Sequence, residues 1–168
     1  MAVILAAEGG YSADPADPGG QTNLGITAAT LREAQQRGVV HQTVTVRDLT
    51  VEQAKTIYRA FYWLPIRGDE LPRAIALATF DAAVNQGVKT AILMLQAAVG
   101  TQPDGVVGPK TISAALRLGL DAVDSLLAIR MARYADLVAA RPVLLRFRHG
   151  WFRRCARTAR LAAQAEAA

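Results

Sequence analysis

Apolar residues recur every three to four positions along most of this chain, which is the period of an amphipathic α-helix. After Thr50, for example, apolar side chains follow at helical spacing, and Thr50 with Gln53 forms the sequence of a capping box. Glycines and prolines mark where such segments begin and end. The pattern predicts helices over residues 28–37, 51–61, 73–86, 90–99, 109–118, 121–140 and 150–165.

Residues 8–27 interrupt this helical pattern, because they are rich in Gly and Pro, which disfavour helix. They follow an apolar run, residues 1–7, that predicts a short buried helix. Turns expose the side chains they carry, and this segment carries acidic and hydroxyl groups. We therefore interpret residues 8–27 as an active-site loop.

Glu8 lies where the first helix is predicted to end, since Gly9 and Gly10 tolerate the left-handed conformation that follows a last turn. Desolvation by the apolar run and the negative end of the helix dipole are both expected to raise the pKa of Glu8. A carboxyl that stays protonated near neutral pH is what a general acid needs. The alternative is a structural residue at a helix end, tied to an arginine.

Asp17 follows nine residues after Glu8, at a Pro-Gly-Gly bend that can return it opposite Glu8 while leaving it ionised. Thr22 can hold a water molecule beside it. The structural alternatives are an Asx turn for Asp17 and a capping or turn hydrogen bond for Thr22.

The run from Glu8 to Thr27 also resembles the signature of glycoside hydrolase family 108, the N-acetylmuramidases of phage endolysins and secretion-activator muramidases. The matching positions are Glu8, Gly9, Gly10, Tyr11, Asp14, Pro15, Asp17, Gly19, Gly20, Thr22, Asn23, Gly25, Ile26 and Thr27. Ala13 and Leu24 depart from the pattern. The resemblance continues through residues 58–63, 68–72 and 80–87 and reaches residues 150–151, so it covers nearly the whole chain.

This resemblance implies a mainly α fold: a lysozyme-like helical bundle with a short Gly/Pro-rich loop or β-hairpin carrying the active site. It implies cleavage of the β-1,4 bond from N-acetylmuramic acid to N-acetylglucosamine in peptidoglycan, with Glu8 as the acid. Phage lysozymes of the T-even type are similar in their order of Glu, Asp and Thr, which would make Asp17 and Thr22 the residues that position water. Tyr11 and Asn23 belong to the matched pattern and are assigned to substrate binding. No cofactor and no metal is implied.

Tyr62, Trp63 and Asn85 are further candidates for substrate binding. Aromatic faces stack on sugar rings, and the resemblance supports a cleft wall here, whereas the alternative for each ring is core packing. Asn85 lies four residues after Asp81, on one face of a helix that is apolar almost all round. A buried acid needs a partner, and we expect Asp81 to hydrogen-bond the catalytic loop from beneath.

The second half of the chain resembles a small peptidoglycan-binding module in its Leu95-Gln96 helix, its Asp104-Gly105 turn and its helix start at Gly108-Pro109. We favour a shared fold over a separate binding site, because fold does not imply function. The predicted organisation is a muramidase catalytic lobe over residues 1–88 and a helical lobe over residues 89–168 packed on it.

The charge is concentrated at the C-terminus. The net charge is +5, and residues 141–168 hold seven arginines against one acid, Glu166. Such a patch favours polyanions, so we expect contact of this Arg-rich helix with an anionic wall polymer or a membrane, and no specific nucleic acid. The alternative is a solvated helix face. Cys155, the single cysteine, excludes an internal disulfide and is interpreted as a packing residue.

The sequence thus favours a monomeric, phage-type peptidoglycan hydrolase whose partner is the glycan strand. No secretory signal is recognised in residues 1–7, so we expect synthesis in the cytoplasm and action on peptidoglycan after release. Three alternatives stay open: a lytic transglycosylase using one Glu without water, a non-catalytic wall-binding or structural relative, and a nucleic-acid binder using the Arg-rich tail.

Overall fold

A computed structural model of the chain describes Ser12 and residues 21–167. The chain forms two compact units, and the boundary between them lies between Phe61 and Tyr62. The prediction of a mainly helical, lysozyme-like fold with a small β-hairpin is confirmed. The helix predicted over residues 1–7 lies outside the described residues.

In the first unit, a two-stranded antiparallel hairpin precedes two helices. Strand β1 is Thr22–Asn23 and strand β2 is Ile26–Thr27, with Thr22 opposite Thr27. Helix α1, Ala28–Gln36, begins directly after β2, because the Thr27 hydroxyl accepts a hydrogen bond from the backbone N–H of Thr30 at 3.2 Å. Residues 39–47, for which either a strand or a connection was expected, form a connection.

Helix α2, Val51–Tyr58, opens with the predicted capping box. The Thr50 hydroxyl accepts from the Gln53 backbone N–H at 3.2 Å, and the Gln53 side chain accepts from the Thr50 N–H at 2.9 Å. A π-helical turn, Arg59–Trp63, continues the helix. The helix predicted over residues 51–61 is therefore α-helical to Tyr58 and π-helical after it. Such turns within helices often coincide with functional sites.

The second unit consists of helices in its described part. Its α-helices are α3 Arg73–Gln86, α4 Val88–Ala98, α5 Pro109–Leu118, α6 Leu120–Ala140 and α7 Arg148–Glu166. The predicted bounds of α3 and α5 are confirmed, and the others shift by one to two residues at their ends. A 3₁₀ segment, Pro142–Phe147, connects α6 to α7, and the sequence pattern did not predict it.

Helix α3 is the central element of this unit. It packs against α4, α6 and α7, and nine of its residues are buried, including Ile75, Phe80 and Asp81. The expectation of a helix buried almost all round is therefore confirmed. Helix α3 ends at Gln86, and its partners begin at Val88 or later, so the core contains helices from both sides of the boundary predicted between residues 88 and 89. This boundary stays a prediction.

The turn between α4 and α5 is organised by the amide of Gln96, which is 1% exposed. Its Nε2 donates to the Asp104 carboxylate at 2.6 Å and to the Val106 carbonyl at 3.0 Å. Its Oε1 accepts from the Gly105 N–H at 2.8 Å. Gly105 has φ +81°, which glycine adopts without strain. One buried side chain thus holds the whole Asp-Gly turn.

Candidate active site

Thr22 lies on a hairpin whose tip is fixed by buried contacts. The two turn residues, Leu24 and Gly25, have φ of 51° and 74°, the conformation that matches the twist of a two-residue hairpin. The hydroxyl of Tyr58, itself 1% exposed, donates to the Leu24 carbonyl at 3.1 Å. Thr22 therefore belongs to a hairpin whose turn is held by a hydrogen bond from the core.

Asn23, the neighbour of Thr22 on β1, is 8% exposed. Its amide nitrogen donates to the carbonyls of Val46 at 3.0 Å and Arg47 at 3.1 Å. Both amide hydrogens therefore tie the hairpin to the connection between α1 and α2. This is a structural task, and the predicted substrate contact of Asn23 stays a prediction.

Backbone hydrogen bonds also join the hairpin to the preceding chain. The Ser12 N–H donates to the Thr22 carbonyl at 2.8 Å, and the Thr22 N–H donates to the Ser12 carbonyl at 2.9 Å. Glu8, Tyr11 and Asp17, three of the predicted site residues, lie outside the described residues. Thr22 is the described member of the predicted catalytic set.

Trp63 stands at the end of the π-helical turn, in the second unit. Its indole N–H donates to the Asp69 carboxylate at 2.8 Å, and its ring meets Phe80 edge to face at a centroid distance of 5.5 Å. Gly68 lies against the ring so closely that an added Cβ would be 2.5 Å from it. These contacts fix the indole, which is half-buried like Tyr62.

Asn85 is exposed at the last turn of α3 and is held from within the protein. Its Oδ1 accepts hydrogen bonds from Arg130 Nη2 at 3.3 Å and from the Tyr134 hydroxyl. Tyr134 also accepts from Arg130 Nε at 3.2 Å. Two donors on the oxygen fix the orientation of the amide, and the predicted substrate contact of Asn85 stays a prediction.

Asp81 is the centre of this buried polar network. Its carboxylate accepts from Arg130 Nη1 at 2.6 Å, from Arg154 Nη2 at 2.9 Å and from the Thr158 hydroxyl at 3.1 Å. Burial alone would raise the pKa of Asp81, but the hydrogen bonds and charges of Arg154 and Arg130 outweigh burial and hold that pKa below its ordinary value. The described partners of Asp81 are on α6 and α7, and most of the catalytic loop that Asp81 is expected to hydrogen-bond lies outside the described residues.

Sequence reasoning missed Arg130, which is 0% exposed and one of the largest buried side chains. The signal was present, because Arg130 interrupts an otherwise apolar stretch of α6, between Ile129 and Met131. An arginine within an apolar run, together with a predicted buried acid at Asp81, points to a buried ion pair.

The described candidates therefore fall into two groups. Thr22 and Asn23 are adjacent in the first unit, whereas Tyr62, Trp63 and Asn85 belong to the second. Within residues 12 and 21–167, no group of three or more His, Cys, Asp or Glu side chains is placed to hold a metal ion.

Comparisons with known proteins define the class. Residues 1–87 match the model described as glycosyl hydrolase 108, and residues 90–156 match one described as a predicted peptidoglycan domain. A catalytic family followed by a peptidoglycan-directed family defines a glycoside hydrolase that acts on peptidoglycan. The chain belongs to the glycosyl hydrolase 108 family.

A solved structure supports the same assignment over nearly the whole chain. The structure of Brucella abortus SagA is 35% identical, covers 99% of this chain and 92% of its own, and superposes with a TM-score of 0.81. No curated protein matches the chain.

Proposed function

We propose that this protein is an N-acetylmuramidase that cleaves the β-1,4 bond between N-acetylmuramic acid and N-acetylglucosamine. The observation that carries the proposal is the glycosyl hydrolase 108 match over residues 1–87, which includes the motif from Glu8 to Thr27. Glu8 protonates the leaving oxygen, while Asp17 and Thr22 position the attacking water.

The hairpin supports this assignment of roles. Thr22 is fixed beside Ser12 by two backbone hydrogen bonds. Chain length alone then keeps Glu8, four residues before Ser12, within about 14 Å of it, and Asp17, five residues before Thr22, within about 17 Å. A hydrogen-bonded Thr22 within chain reach of both acids suits a reaction in which water must be held on the face opposite the acid.

Asn85 supports a sugar-binding surface in the second unit. The Arg130 and Tyr134 hydrogen bonds on Oδ1 leave the amide nitrogen as a donor. An N-acetyl carbonyl is a matching acceptor, so we assign Asn85 to an acetamido group of the substrate. Tyr62, Trp63, Tyr11 and Asn23 complete the proposed binding set.

The setting and the state of the molecule are part of the same proposal. We propose a monomeric, phage-type endolysin that is made in the cytoplasm and acts on the wall after release. The Arg-rich C-terminal helix would contact an anionic wall polymer or a membrane.

The decisive experiment compares the protein with its Glu8→Gln variant on purified peptidoglycan, following loss of turbidity. Removal of the acid should slow cleavage at least about 100-fold. Glu52→Gln is the matched control, because Glu52 is 80% exposed on α2 and should leave the rate unchanged. Equal rates for Glu8→Gln and the unmodified protein would contradict the proposal.

Mass spectrometry of the fragments in heavy-oxygen water identifies the bond and the reaction. Hydrolysis by the proposed route places the label at the reducing end of N-acetylmuramic acid. Unlabelled anhydro-muramyl ends would instead identify a lytic transglycosylase, and an unchanged polymer would identify a non-catalytic relative.

A further inference from the structure

The segment between α6 and α7 exposes large apolar side chains to water. Val143 is 66% exposed, Leu145 51%, Phe147 43% and Phe152 37%. Apart from Leu144, every residue from 141 to 150 is exposed. We call residues 141–153 the C-terminal turn. Large exposed apolar side chains grouped within one short segment are typical of an interaction surface.

The same turn is strongly basic. Arg141, Arg146, Arg148 and Arg153 are exposed within it. The sequence contains no Asp or Glu between Asp136 and Glu166. The turn therefore alternates apolar and cationic side chains without a neutralising acid in its own segment, and its partner must be both apolar and anionic.

An aromatic stack anchors the turn to the buried core of its unit. Arg146 lies over the Phe147 ring at 4.8 Å, and Phe147 stacks on Trp151 at a centroid distance of 5.9 Å. Trp151 stacks on Tyr134 at 4.7 Å, and Tyr134 belongs to the Asp81 network. The exposed side chains are thus carried on an ordered base, which lowers the entropy lost when they bind.

We infer that the C-terminal turn docks on an anionic phospholipid bilayer, with its apolar side chains in the interface and its arginines on the lipid headgroups. A linear polyanion would use the arginines but offers nothing to Val143 and Leu145. A bilayer satisfies both kinds of side chain. Within residues 21–167, no helix is long and apolar enough to cross a membrane.

This inference rests on the proposed contact of the C-terminal helix with a membrane and makes it specific, but it is independent of wall cleavage, so vesicle binding tests it separately from the hydrolase activity. The full chain is sedimented with vesicles of phosphatidylcholine, with and without 30% phosphatidylglycerol (roughly the anionic fraction needed for a strong surface potential). The protein should partition into the anionic vesicles and stay free of the neutral ones.

Two variants separate charge from apolar insertion. Val143→Ser/Leu145→Ser should lower the partition coefficient about tenfold, because both side chains leave water on binding. Arg146→Gln/Arg148→Gln should lower it about 25-fold, since each charge near an anionic surface contributes about fivefold. Val106→Ser/Leu116→Ser is the matched control, with side chains 66% and 63% exposed elsewhere in the unit, and should bind like the unmodified protein.

Three results would overturn the inference. One is unchanged vesicle binding by Val143→Ser/Leu145→Ser. Binding would then depend on the arginines alone, as expected for a wall polymer or a nucleic acid. Another is an equal loss in the control pair. The third is absence of vesicle binding together with a concentration-dependent dimer in sedimentation that Val143→Ser/Leu145→Ser dissociates, which would assign the turn to a second copy of the chain.

Discussion

At the scale of single residues, the second unit contains buried polar side chains that are joined in one network of hydrogen bonds. Asp81 accepts hydrogen bonds from Arg130, Arg154 and Thr158, and Arg130 has no exposed surface. Removing one partner from such a network leaves a buried charge uncompensated, which costs more than the interaction itself contributes. The carboxylate also fixes the network that orients Asn85.

The Asp81→Asn variant should lose about 3 kcal/mol or more of unfolding free energy at pH 7, because Arg130 keeps its charge without a carboxylate. The pKa of Asp81 is lowered on folding, so its contribution is fully present above the unfolded pKa of about 3.9 and is lost as pH falls through the lower folded value. Urea unfolding from pH 7 down to pH 3 measures the difference between the two proteins.

That difference should be constant from about pH 7 to pH 5 and shrink below about pH 4. Asp136→Asn, on an exposed position of α6, provides the control and should change stability by no more than about 0.5 kcal/mol. A difference for Asp81→Asn that is as large at pH 3 as at pH 7 would show that the charge of Asp81 is not the cause.

Gly68 is a second residue whose identity is fixed by its surroundings. Its place against the Trp63 ring leaves no room for a methyl group, because an added Cβ would be 2.5 Å from the indole. Gly68→Ala should therefore cost about 1–3 kcal/mol and shift the emission of Trp63 as the ring is displaced.

The matched control is Gly150→Ala in α7, where nothing lies within 4 Å of the added Cβ. There alanine should be neutral or stabilise by up to about 1 kcal/mol, because glycine is a poor helix former. Denaturation followed by fluorescence and by circular dichroism gives the unfolding free energies of the two variants. Equal effects at the two positions would contradict a specific contact with the ring.

At the scale of elements, a side chain from a helix of the second unit holds the turn that follows that helix. Gln96 is part of α4, and its side-chain amide forms hydrogen bonds with the turn that leads to α5. The Arg67 guanidinium donates to the Val107 carbonyl at 3.0 Å and steadies the same turn from another segment. The Leu95-Gln96 and Asp104-Gly105 motifs therefore act together, because the Gln96 amide holds the Asp-Gly turn in place.

Gln96→Glu should lower the unfolding free energy by about 2–3 kcal/mol, because a carboxylate cannot donate to Asp104 and repels it. Adding Asp104→Asn removes the repulsion and supplies a donor, so the double variant should recover part of the loss. The double-mutant cycle gives a coupling free energy, for which we expect about 1 kcal/mol or more. Additive effects of the two changes would show that the pair does not interact in this way.

At the scale of the whole molecule, two family segments share one core. The glycosyl hydrolase 108 match ends at residue 87, yet α3, which lies within it, is enclosed by α4, α6 and α7 from the following segment. The surface that α3 buries is apolar, including Ile75 and Phe80. An isolated first segment would expose that surface to water.

A fragment of residues 1–88 should therefore unfold without a cooperative transition and should bind a hydrophobic dye. The full chain should unfold cooperatively and should not bind the dye. The reason is the loss of the partners of α3, which removes burial of several large side chains. Calorimetry and dye fluorescence check the result. A fragment that unfolds with a sharp transition would instead support the lobe boundary predicted after residue 88.

The sequence predicts those features of the fold that depend on residues close together in the chain. The periodicity of apolar residues was enough for the bounds of α3 and α5, and the Thr50 capping box was confirmed atom for atom. Local patterns cannot say which partner a buried acid finds, because Asp81 and Arg154 are 73 positions apart.

The same limit applies to the candidate site. The motif from Glu8 to Thr27 indicated the family, but the clamp on Asn23 comes from carbonyls 23 and 24 residues away. The 3₁₀ segment at Pro142–Phe147 was not predicted because all its side chains except Leu144 are exposed and form no helical stripe.

Cys155 is 0% exposed on α7, and burial raises the pKa of its thiol above the ordinary value. A thiol that is both shielded and protonated reacts with a disulfide reagent only during moments when α7 separates from its neighbours. The rate of modification of this single sulfur, followed in native buffer, would thus measure how often the C-terminal helix opens, without any label having to be engineered into the protein.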